Sequence, residues 1–167
     1  AKLDEVRRAL IDIDPSCEAV GVVEASAEDP ITLARMAAET SCVVTTVGPY
    51  ARHGLPVVEA CVAGCADYAD ITGEPQFVAE VIARFDGAAR DKGLRIVNTC
   101  GFDSVPHDLG ALYTVKLLPR DVPIELEGFV RSRGTASGGT WQSALNAFAN
   151  LRSATASMRP PRPADGR

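Results

Sequence analysis

The chain has 167 residues, of which 46% are hydrophobic and 23% charged, a composition typical of a folded globular protein. Its net charge of -5 excludes the overall basic character of most nucleic-acid-binding domains. No apolar run approaches the roughly 18 residues that a membrane-spanning helix needs. The first residues do not have the pattern of a signal or transit peptide.

The five cysteines bear on both compartment and metal binding. Without a signal sequence, they predict reduced thiols in a cytoplasmic protein. Cys61 and Cys65 are spaced so that they could share one helix face. A structural zinc site needs four ligands, so we interpret both as small apolar residues and predict no metal site.

The predicted elements alternate from the start of the chain. Apolar residues at helical spacing predict a helix over residues 2–11, and the apolar run at 18–25 (EAVGVVEA) predicts a buried strand. Asp29 followed by Pro30 is typical of a helix start, with aspartate as the N-cap and proline in the first turn. We therefore expect a helix, a strand and a second helix in this part of the chain.

The same alternation continues through the middle of the chain. Strands are predicted over residues 42–47 (CVVTTV), 67–72 (DYADIT) and 94–100 (LRIVNTC). Between them, apolar spacing predicts a helix over 55–65 and an amphipathic helix that begins at Pro75. Together with the earlier strand, this order predicts an α/β fold with a parallel sheet.

Two glycine-containing turns follow strands of this predicted sheet, VGPY (47–50) and CGFDS (100–104). In parallel sheets, ligands bind in crevices beyond the carboxyl ends of the strands. We therefore predict that the two turns belong to one ligand site.

A glycine-rich phosphate-binding loop is absent from this sequence. None of its 14 glycines forms the G-x-G-x-x-G pattern of dinucleotide-binding domains, and neither a GK[ST] loop nor an HExxH motif occurs. We expect the first strand and phosphate loop of a Rossmann-type sheet to lie outside these 167 residues. Residues 1–119 would then form a partial NAD(P)-binding domain.

The character of the sequence changes after residue 119. Alternating apolar residues in PIELEGFVRSR (123–133) predict an antiparallel strand, and a glycine-rich loop then leads into a helical pattern, WQSALNAFANL. We interpret residues 120–151 as the start of a second, α+β domain. Residues 152–167 are rich in proline and arginine, which predicts a disordered tail.

Three blocks carry a resemblance to a known family. They are TTVGPYARHGLPVVEACVAGCADYADITGEPQFV, GLRIVNTCGFDSVPHDLG and SGGTWQSALNAFANL, in this order. With these motifs, the chain resembles the saccharopine dehydrogenase-like oxidoreductases, and among them the actinobacterial trans-acting enoyl reductases. The resemblance covers residues 1–151. The glycine-rich loop that opens the family's Rossmann domain is not found among these residues.

The resemblance implies an oxidoreductase with a Rossmann domain that binds NADP or NAD, with NADPH favoured. It implies that a lipid-linked enoyl or acyl substrate is reduced, with the second domain contributing to substrate binding and association. It also implies a homodimer and peripheral association with membranes or lipid bodies.

By the same resemblance, the two glycine turns contact the cofactor. The implied cofactor residues are Thr45, Thr46, Val47, Gly48, Pro49, Tyr50, Cys100, Gly101 and Phe102. By their position, Tyr50, Asp103 and His107 are the candidate proton donors. A glycine-rich entry to the predicted helix has free amides that could hold a carboxylate or thioester oxygen, so the candidate substrate residues are Ser137, Gly138, Gly139, Thr140 and Trp141.

Each motif also has a purely structural interpretation. Tyr50 could pack against the following helix, and Asp103 or Ser104 could cap the helix that follows Pro106. Thr140 could similarly be an N-cap. Both interpretations of these motifs remain open at this stage.

For DITGE (70–74), we interpret Asp70, Thr72 and Glu74 as residues that close a strand and cap the helix at Pro75.

Two functions remain open for the chain as a whole. One is part of an NAD(P)H-dependent oxidoreductase that, when intact, reduces a lipid-linked enoyl or acyl substrate. The other is a non-catalytic module that acts in protein or lipid association, because a parallel sheet without its central strand would expose unpaired edges.

Overall fold

A computed structural model of the chain describes residues 2–131. Five helices and three strands alternate along it: α1 (Lys2–Ile13), α2 (Pro30–Ala38), β1 (Cys42–Thr45), α3 (Tyr50–Gly64), β2 (Asp67–Asp70), α4 (Pro75–Lys92), β3 (Ile96–Val97) and α5 (Val105–Lys116). A short 3-10 helix, Pro15–Ala19, follows α1.

The three strands form one parallel sheet in the order β1-β2-β3. Val43 is paired with Tyr68, and Tyr68 is paired on its other side with Ile96. Helices α3 and α4 connect successive strands of the sheet. The predicted α/β fold with a parallel sheet is therefore confirmed, and β2 is its central strand.

The strand predicted at residues 18–25 is wrong. This segment contains the end of the 3-10 helix and then a stretch without regular structure. Val20, Val22 and Val23 are 44% to 47% exposed. The physical reason is the lack of a partner, because in residues 2–131 the sheet consists of β1, β2 and β3 alone and none of them pairs with this segment.

The main core lies between the sheet and the helices α3 and α4. Tyr68 from β2, Val58 from α3, and Phe77 and Val81 from α4 are each 2% exposed or less. The two helices cross closely at Gly54, where an added Cβ would lie 2.5 Å from ring atoms of Phe77. A small residue is therefore required at this crossing.

The starts of α2 and α4 agree with the prediction, and the start of α3 does not. Asp29 caps α2 by accepting from the amides of Ile31 and Thr32, and α4 begins at Pro75 as predicted. Helix α3 instead begins at Tyr50, five residues before the predicted range of 55–65, and it contains Pro56.

β2 and β3 are shorter than the strands predicted for their segments. The segment 67–72 is a strand only up to Asp70, and the segment 94–100 only at Ile96–Val97. Beyond these short strands the chain turns into loops that carry polar residues.

The second domain proposed for residues 120–151 stays a prediction. Its described part, residues 120–131, contains neither a helix nor a strand, so the antiparallel strand predicted over 123–133 is not found there. The rest of that unit and the tail at 152–167 lie outside the described residues.

Candidate functional site

The carboxyl ends of the three strands lie side by side and carry the candidate site. Residues 46–49 follow β1, residues 71–74 follow β2 and residues 98–104 follow β3. Because β2 is central, its turn separates the VGPY turn from the CGFDS turn. The two glycine turns therefore lie on opposite sides of the β2 turn, and we call them the VGPY wall and the CGFDS wall.

The β2 turn has an alternating pattern of burial. Asp70, Thr72 and Glu74 are buried, at 0%, 3% and 8% exposure, whereas Ile71 and Gly73 between them are exposed. The amide of Thr72 donates to Asp70 Oδ1 (3.0 Å), and the amide of Glu74 donates to Thr72 Oγ1 (3.1 Å). We call these three buried residues the polar ladder.

Asp70 connects the polar ladder to the loop after β3. Its Oδ2 accepts from the Tyr68 hydroxyl at 2.9 Å and from Asn98 Nδ2 at 2.7 Å. Its Oδ1 accepts from the amide of Thr99 at 3.0 Å, and its carbonyl accepts from the amide of Cys100 at 2.7 Å. This carboxylate therefore fixes the start of the CGFDS wall.

Glu74 connects the polar ladder to the other wall. Its two carboxylate oxygens accept from the amides of Tyr50 at 3.0 Å and Ala51 at 2.8 Å. These amides are at the N-terminus of α3, directly after the VGPY turn. Glu74 occupies the predicted N-cap position of α4, but its side chain makes no cap bond to α4 and caps α3 instead.

Tyr50 is a buried wall residue. It is 5% exposed, its ring packs against Phe77 at a centroid distance of 5.8 Å, and its hydroxyl donates to the Thr45 carbonyl at 3.1 Å. Burial raises the pKa of the phenol, which keeps the hydroxyl protonated. Tyr50 thus closes the VGPY turn back onto the end of β1.

The CGFDS wall starts in an unusual backbone conformation. Thr99 has a φ of 58°, in the left-handed region that side chains other than glycine rarely adopt. Two hydrogen bonds hold this conformation: the Thr99 amide donates to Asp70 Oδ1, and the Thr99 hydroxyl donates to the Asn98 carbonyl at 2.7 Å. Strained residues of this kind are concentrated at functional sites.

The candidate cofactor residues lie along both walls. Half-buried positions are Thr45, Pro49, Cys100 and Gly101, and exposed positions are Thr46, Val47, Gly48 and Phe102. An added Cβ at Gly101 would lie 3.3 Å from Ile71 Cβ, so this glycine packs closely on the central turn. Of the other candidate proton donors, Asp103 and His107 are exposed, at the start of α5. Residues 137–141 lie outside the described part of the chain.

The capping role predicted near Pro106 is only partly present. Ser104 occupies the N-cap position of α5, but its side chain makes no cap hydrogen bond. The backbone instead turns at Gly101, whose carbonyl accepts from the amides of Ser104 and Val105. Asp103 is therefore not used as the N-cap residue.

An apolar groove lies beside the VGPY turn. It has a volume of about 210 Å³ and is lined by residues 25 and 27, by α2, by β1 and by α3, with Thr45 and His53 as its polar side chains. Pockets for whole ligands are typically roughly 300–1,000 Å³. The groove is thus large enough for part of a dinucleotide.

Two further properties concern the described residues only. Over 2–131, no three histidine, cysteine, aspartate or glutamate side chains are grouped so that they could hold a metal ion. None of the helices in this range is long and apolar enough to span a bilayer.

The structurally central residues of the site were not among the candidates. Asp70, Glu74 and Thr99 connect the walls, yet the sequence pattern indicated only a local capping role for the first two. The usable signal was the polar–other–polar spacing of D-I-T-G-E directly after a strand. Such spacing places alternate side chains on the same side of an extended turn.

Three longer proteins show what this chain is similar to. A Mycobacterium tuberculosis protein named as a trans-acting enoyl reductase is 46% identical over 144 residues, which cover 84% of this chain and 34% of that protein. A trans-acting enoyl reductase of Mycobacterium bovis is 43% identical over 106 residues, covering 64% of this chain and 25% of that protein. An Arabidopsis thaliana protein named as a saccharopine dehydrogenase-like oxidoreductase is 35% identical over 142 residues, covering 82% and 31%.

The chain is a homologue of these oxidoreductases. The family resemblance indicated by the motifs is therefore confirmed. The chain spans 34% of the length of its Mycobacterium tuberculosis relative, so it corresponds to one part of a longer protein of this kind. No protein-family model and no solved structure matches it.

Proposed function

We propose that this chain supplies the nicotinamide side of the cofactor site in an NAD(P)H-dependent oxidoreductase. NADPH is the favoured cofactor, and a lipid-linked enoyl or acyl group is the favoured substrate. The sheet would be the second half of a Rossmann-type domain. We further propose that the intact enzyme is cytoplasmic, associates peripherally with membranes and forms homodimers.

One observation carries this proposal. Three adjacent parallel strands end at one edge of the sheet, and buried carboxylates hold the turns after the outer two strands in place. Ligands of open α/β sheets bind in crevices at this edge. The names of the homologues support a redox cofactor as that ligand.

The residues at this end of the sheet fit part of a nicotinamide cofactor. Gly48 and Gly73 are exposed, and an added Cβ at Gly73 would meet no atom within 4 Å, so the backbone is open to a ligand there. The exposed Thr46 hydroxyl could hydrogen-bond a ribose. Among residues 2–131 there is no glycine-rich loop to hold the pyrophosphate, so the fit covers only the nicotinamide side.

When bound, a reduced nicotinamide supplies a hydride to an acceptor carbon. The task of this chain is then to hold the cofactor against the CGFDS wall, keep water away and provide a proton. The Tyr50 hydroxyl is buried and bonded to the Thr45 carbonyl, so it is poorly placed to deliver a proton. We therefore assign that role to Asp103 or His107, which are exposed at the start of α5.

Calorimetric titration with NADPH and NADH tests the proposal. The 167-residue chain is compared with a version that is extended at its N-terminus through a glycine-rich strand and loop. We expect binding by the extended version and much weaker binding by the shorter one. Failure of both versions to bind either nucleotide would reject the oxidoreductase proposal, and micromolar binding by the short chain alone would reject the need for the extension.

A non-catalytic association role is the second candidate, and a specific observation favours it. Helices α1 and α5 bury no side chain, and apolar residues along them are exposed: Leu3, Val6, Leu10, Ile13, Leu109, Leu112, Tyr113 and Val115. Exposed apolar faces of this kind are typical of surfaces that another molecule covers. Co-sedimentation with lipid vesicles in the absence of nucleotide binding would favour this candidate.

A further inference from the structure

The N-terminus of α3 is the obvious anion site at this end of the sheet. It directly follows the VGPY turn, and free amides at a helix N-terminus, together with the helix dipole, attract phosphate groups. In this protein the position is already taken. The Glu74 carboxylate accepts from the amides of Tyr50 and Ala51 at 3.0 Å and 2.8 Å.

These two amides depend on Glu74. They belong to the first turn of α3, where a helix has no carbonyl of its own to accept from them. The next two amides, of Arg52 and His53, donate to the Pro49 carbonyl. The carboxylate therefore satisfies the amides that the backbone leaves over, with charge-assisted hydrogen bonds.

The position of Glu74 is itself fixed by the polar ladder. Its residue is 8% exposed, and its amide donates to Thr72 Oγ1, while the amide of Thr72 donates to the fully buried Asp70. No buried side-chain oxygen or nitrogen in the described residues lacks a hydrogen-bond partner. A fully satisfied buried network of this kind favours one arrangement of the chain over others.

We propose that Glu74 is a positioning residue that closes the N-terminus of α3 to phosphate and holds the VGPY turn against the polar ladder. The VGPY wall then receives an uncharged part of a ligand, such as a ribose or a carboxamide. The phosphates of the ligand must be bound elsewhere. The part of this inference that concerns the cofactor rests on the proposed function.

The same polar ladder links the two walls. Asp70 accepts from Asn98 and from the amide of Thr99 at the start of the CGFDS wall, and Glu74 holds the VGPY wall. A ligand that lies between the walls is therefore held at a spacing that the polar ladder sets. Loss of Glu74 should loosen one wall and leave the hydrogen bonds of the other in place.

Amide hydrogen exchange of the ligand-free chain tests the positioning role. In Glu74→Ala we expect the Tyr50 and Ala51 amides to exchange at least about tenfold faster, because they lose their acceptor. Glu74→Gln retains one acceptor oxygen and should protect one of the two amides. Glu80→Ala removes a glutamate that is exposed on α4 and paired with Arg84, and should leave both amides unchanged.

Unchanged exchange at both amides in Glu74→Ala would overturn the proposal. If that variant does not fold, the same comparison is made with Glu74→Gln, where full protection of both amides would overturn it. Accelerated exchange throughout α3 and α4 to the same degree would also overturn it, because that result describes a general loss of stability.

Titration with inorganic phosphate tests the closure. In the unaltered chain, the amide resonances of Tyr50 and Ala51 should not move as phosphate is added, and a saturable movement of both would overturn the closure. Both experiments are done without a nicotinamide. A failure of NADPH to bind would therefore reject the proposed function and leave the role of Glu74 standing. A response of the two amides to phosphate would reject the closure by Glu74 and leave the proposed function standing.

Discussion

Residues 70–74 and residues 20–25 are both short segments near strands, and their burial is the reverse of their polarity. The first contains Asp70, Thr72 and Glu74, all buried. The second contains Val20, Val22 and Val23, all exposed by more than 40%. The polar segment lies inside because its side chains meet hydrogen-bond donors: Asp70 and Glu74 accept from neighbouring turns, and Thr72 accepts from the Glu74 amide. The apolar segment lies outside because no strand of the described sheet pairs with it.

In this protein, a segment is buried where neighbouring elements offer it hydrogen bonds or packing, whatever the polarity of its side chains. A buried carboxylate is tolerated where its oxygens are fully hydrogen-bonded. An apolar segment gains little from its side chains unless another element covers them. Stability should therefore respond most to the loss of a buried partner, less to a clash between helices or a buried charge, and least to a shortened side chain that nothing covers.

Removal of the best-bonded carboxylate should have the largest effect. Asp70→Ala leaves the Tyr68 hydroxyl, Asn98 and the amides of Thr72 and Thr99 without their acceptor. We expect the free energy of unfolding to fall by roughly 3 kcal/mol or more, since each unsatisfied buried group is costly. Urea unfolding measures it.

Asp86→Ala is the control for that change. Asp86 is on the exposed side of α4, in an i,i+4 pair with Arg90, and such pairs contribute only about 0.3–0.5 kcal/mol. Equal destabilisation by both substitutions would contradict the central place of Asp70.

A clash between helices should have the next largest effect. In Gly54→Ala the new methyl group would lie 2.5 Å from the Phe77 ring, and overpacking of this kind costs roughly 1–3 kcal/mol. Gly87→Ala is the matched substitution in α4, where a Cβ meets no atom within 4 Å. It should stabilise the protein by about 0.5–1 kcal/mol through helix propensity. Thermal unfolding should therefore shift in opposite directions, and shifts of the same sign would contradict the close crossing.

A buried thiol should make stability depend on alkaline pH. Burial raises the pKa of Cys61 to about 11, above its ordinary value, so the folded state favours the protonated thiol. Its contribution is complete below the unfolded pKa of roughly 8.5 and is lost as the pH rises toward the folded value. The free energy of unfolding should fall less steeply over this range in Cys61→Ala than in the unaltered chain. Cys65→Ala, at an exposed position, should keep the original slope.

The smallest effect is expected in the apolar segment that lacks a partner. Val22→Ala should change the free energy of unfolding by no more than about 0.5 kcal/mol, as is usual for exposed positions. Val58→Ala removes the same atoms from a fully buried position of α3 and should cost several times more. A large loss of stability in Val22→Ala would show that residues 20–25 are covered in solution, and would contradict the claim that this apolar segment lacks a packing partner.

Much of the fold could be predicted because its signals are local. Asp29 with Pro30 and the proline at 75 marked two helix starts, and apolar runs marked β1 and β2. The start of α3 could not be predicted in this way. Apolar spacing indicated a start near residue 55, whereas Glu74 caps the true first turn from 24 residues away in the sequence.

The two turns of the candidate site could be predicted from the sequence, but the residues that hold them in place could not. Glycine turns after strands indicated the two walls, and the structure places both at the same end of the sheet. The residues that hold the walls were assigned a local role because hydrogen bonds between distant turns leave no periodic pattern. The strand predicted at 18–25 failed for the related reason that a strand depends on neighbours that its own residues do not specify.

Nuclear magnetic resonance mapping of NADPH binding tests whether the two walls contact the nicotinamide side of the cofactor. In the N-terminally extended version, we expect amide shifts to concentrate in residues 45–51 and 98–102, on these two walls. The groove between α4 and β3 also contains Asn98, but its residues Arg90, Leu94 and Arg95 should not respond. Shifts confined to that groove, or none in either version of the chain, would contradict the claim that these walls form the nicotinamide side of a cofactor site.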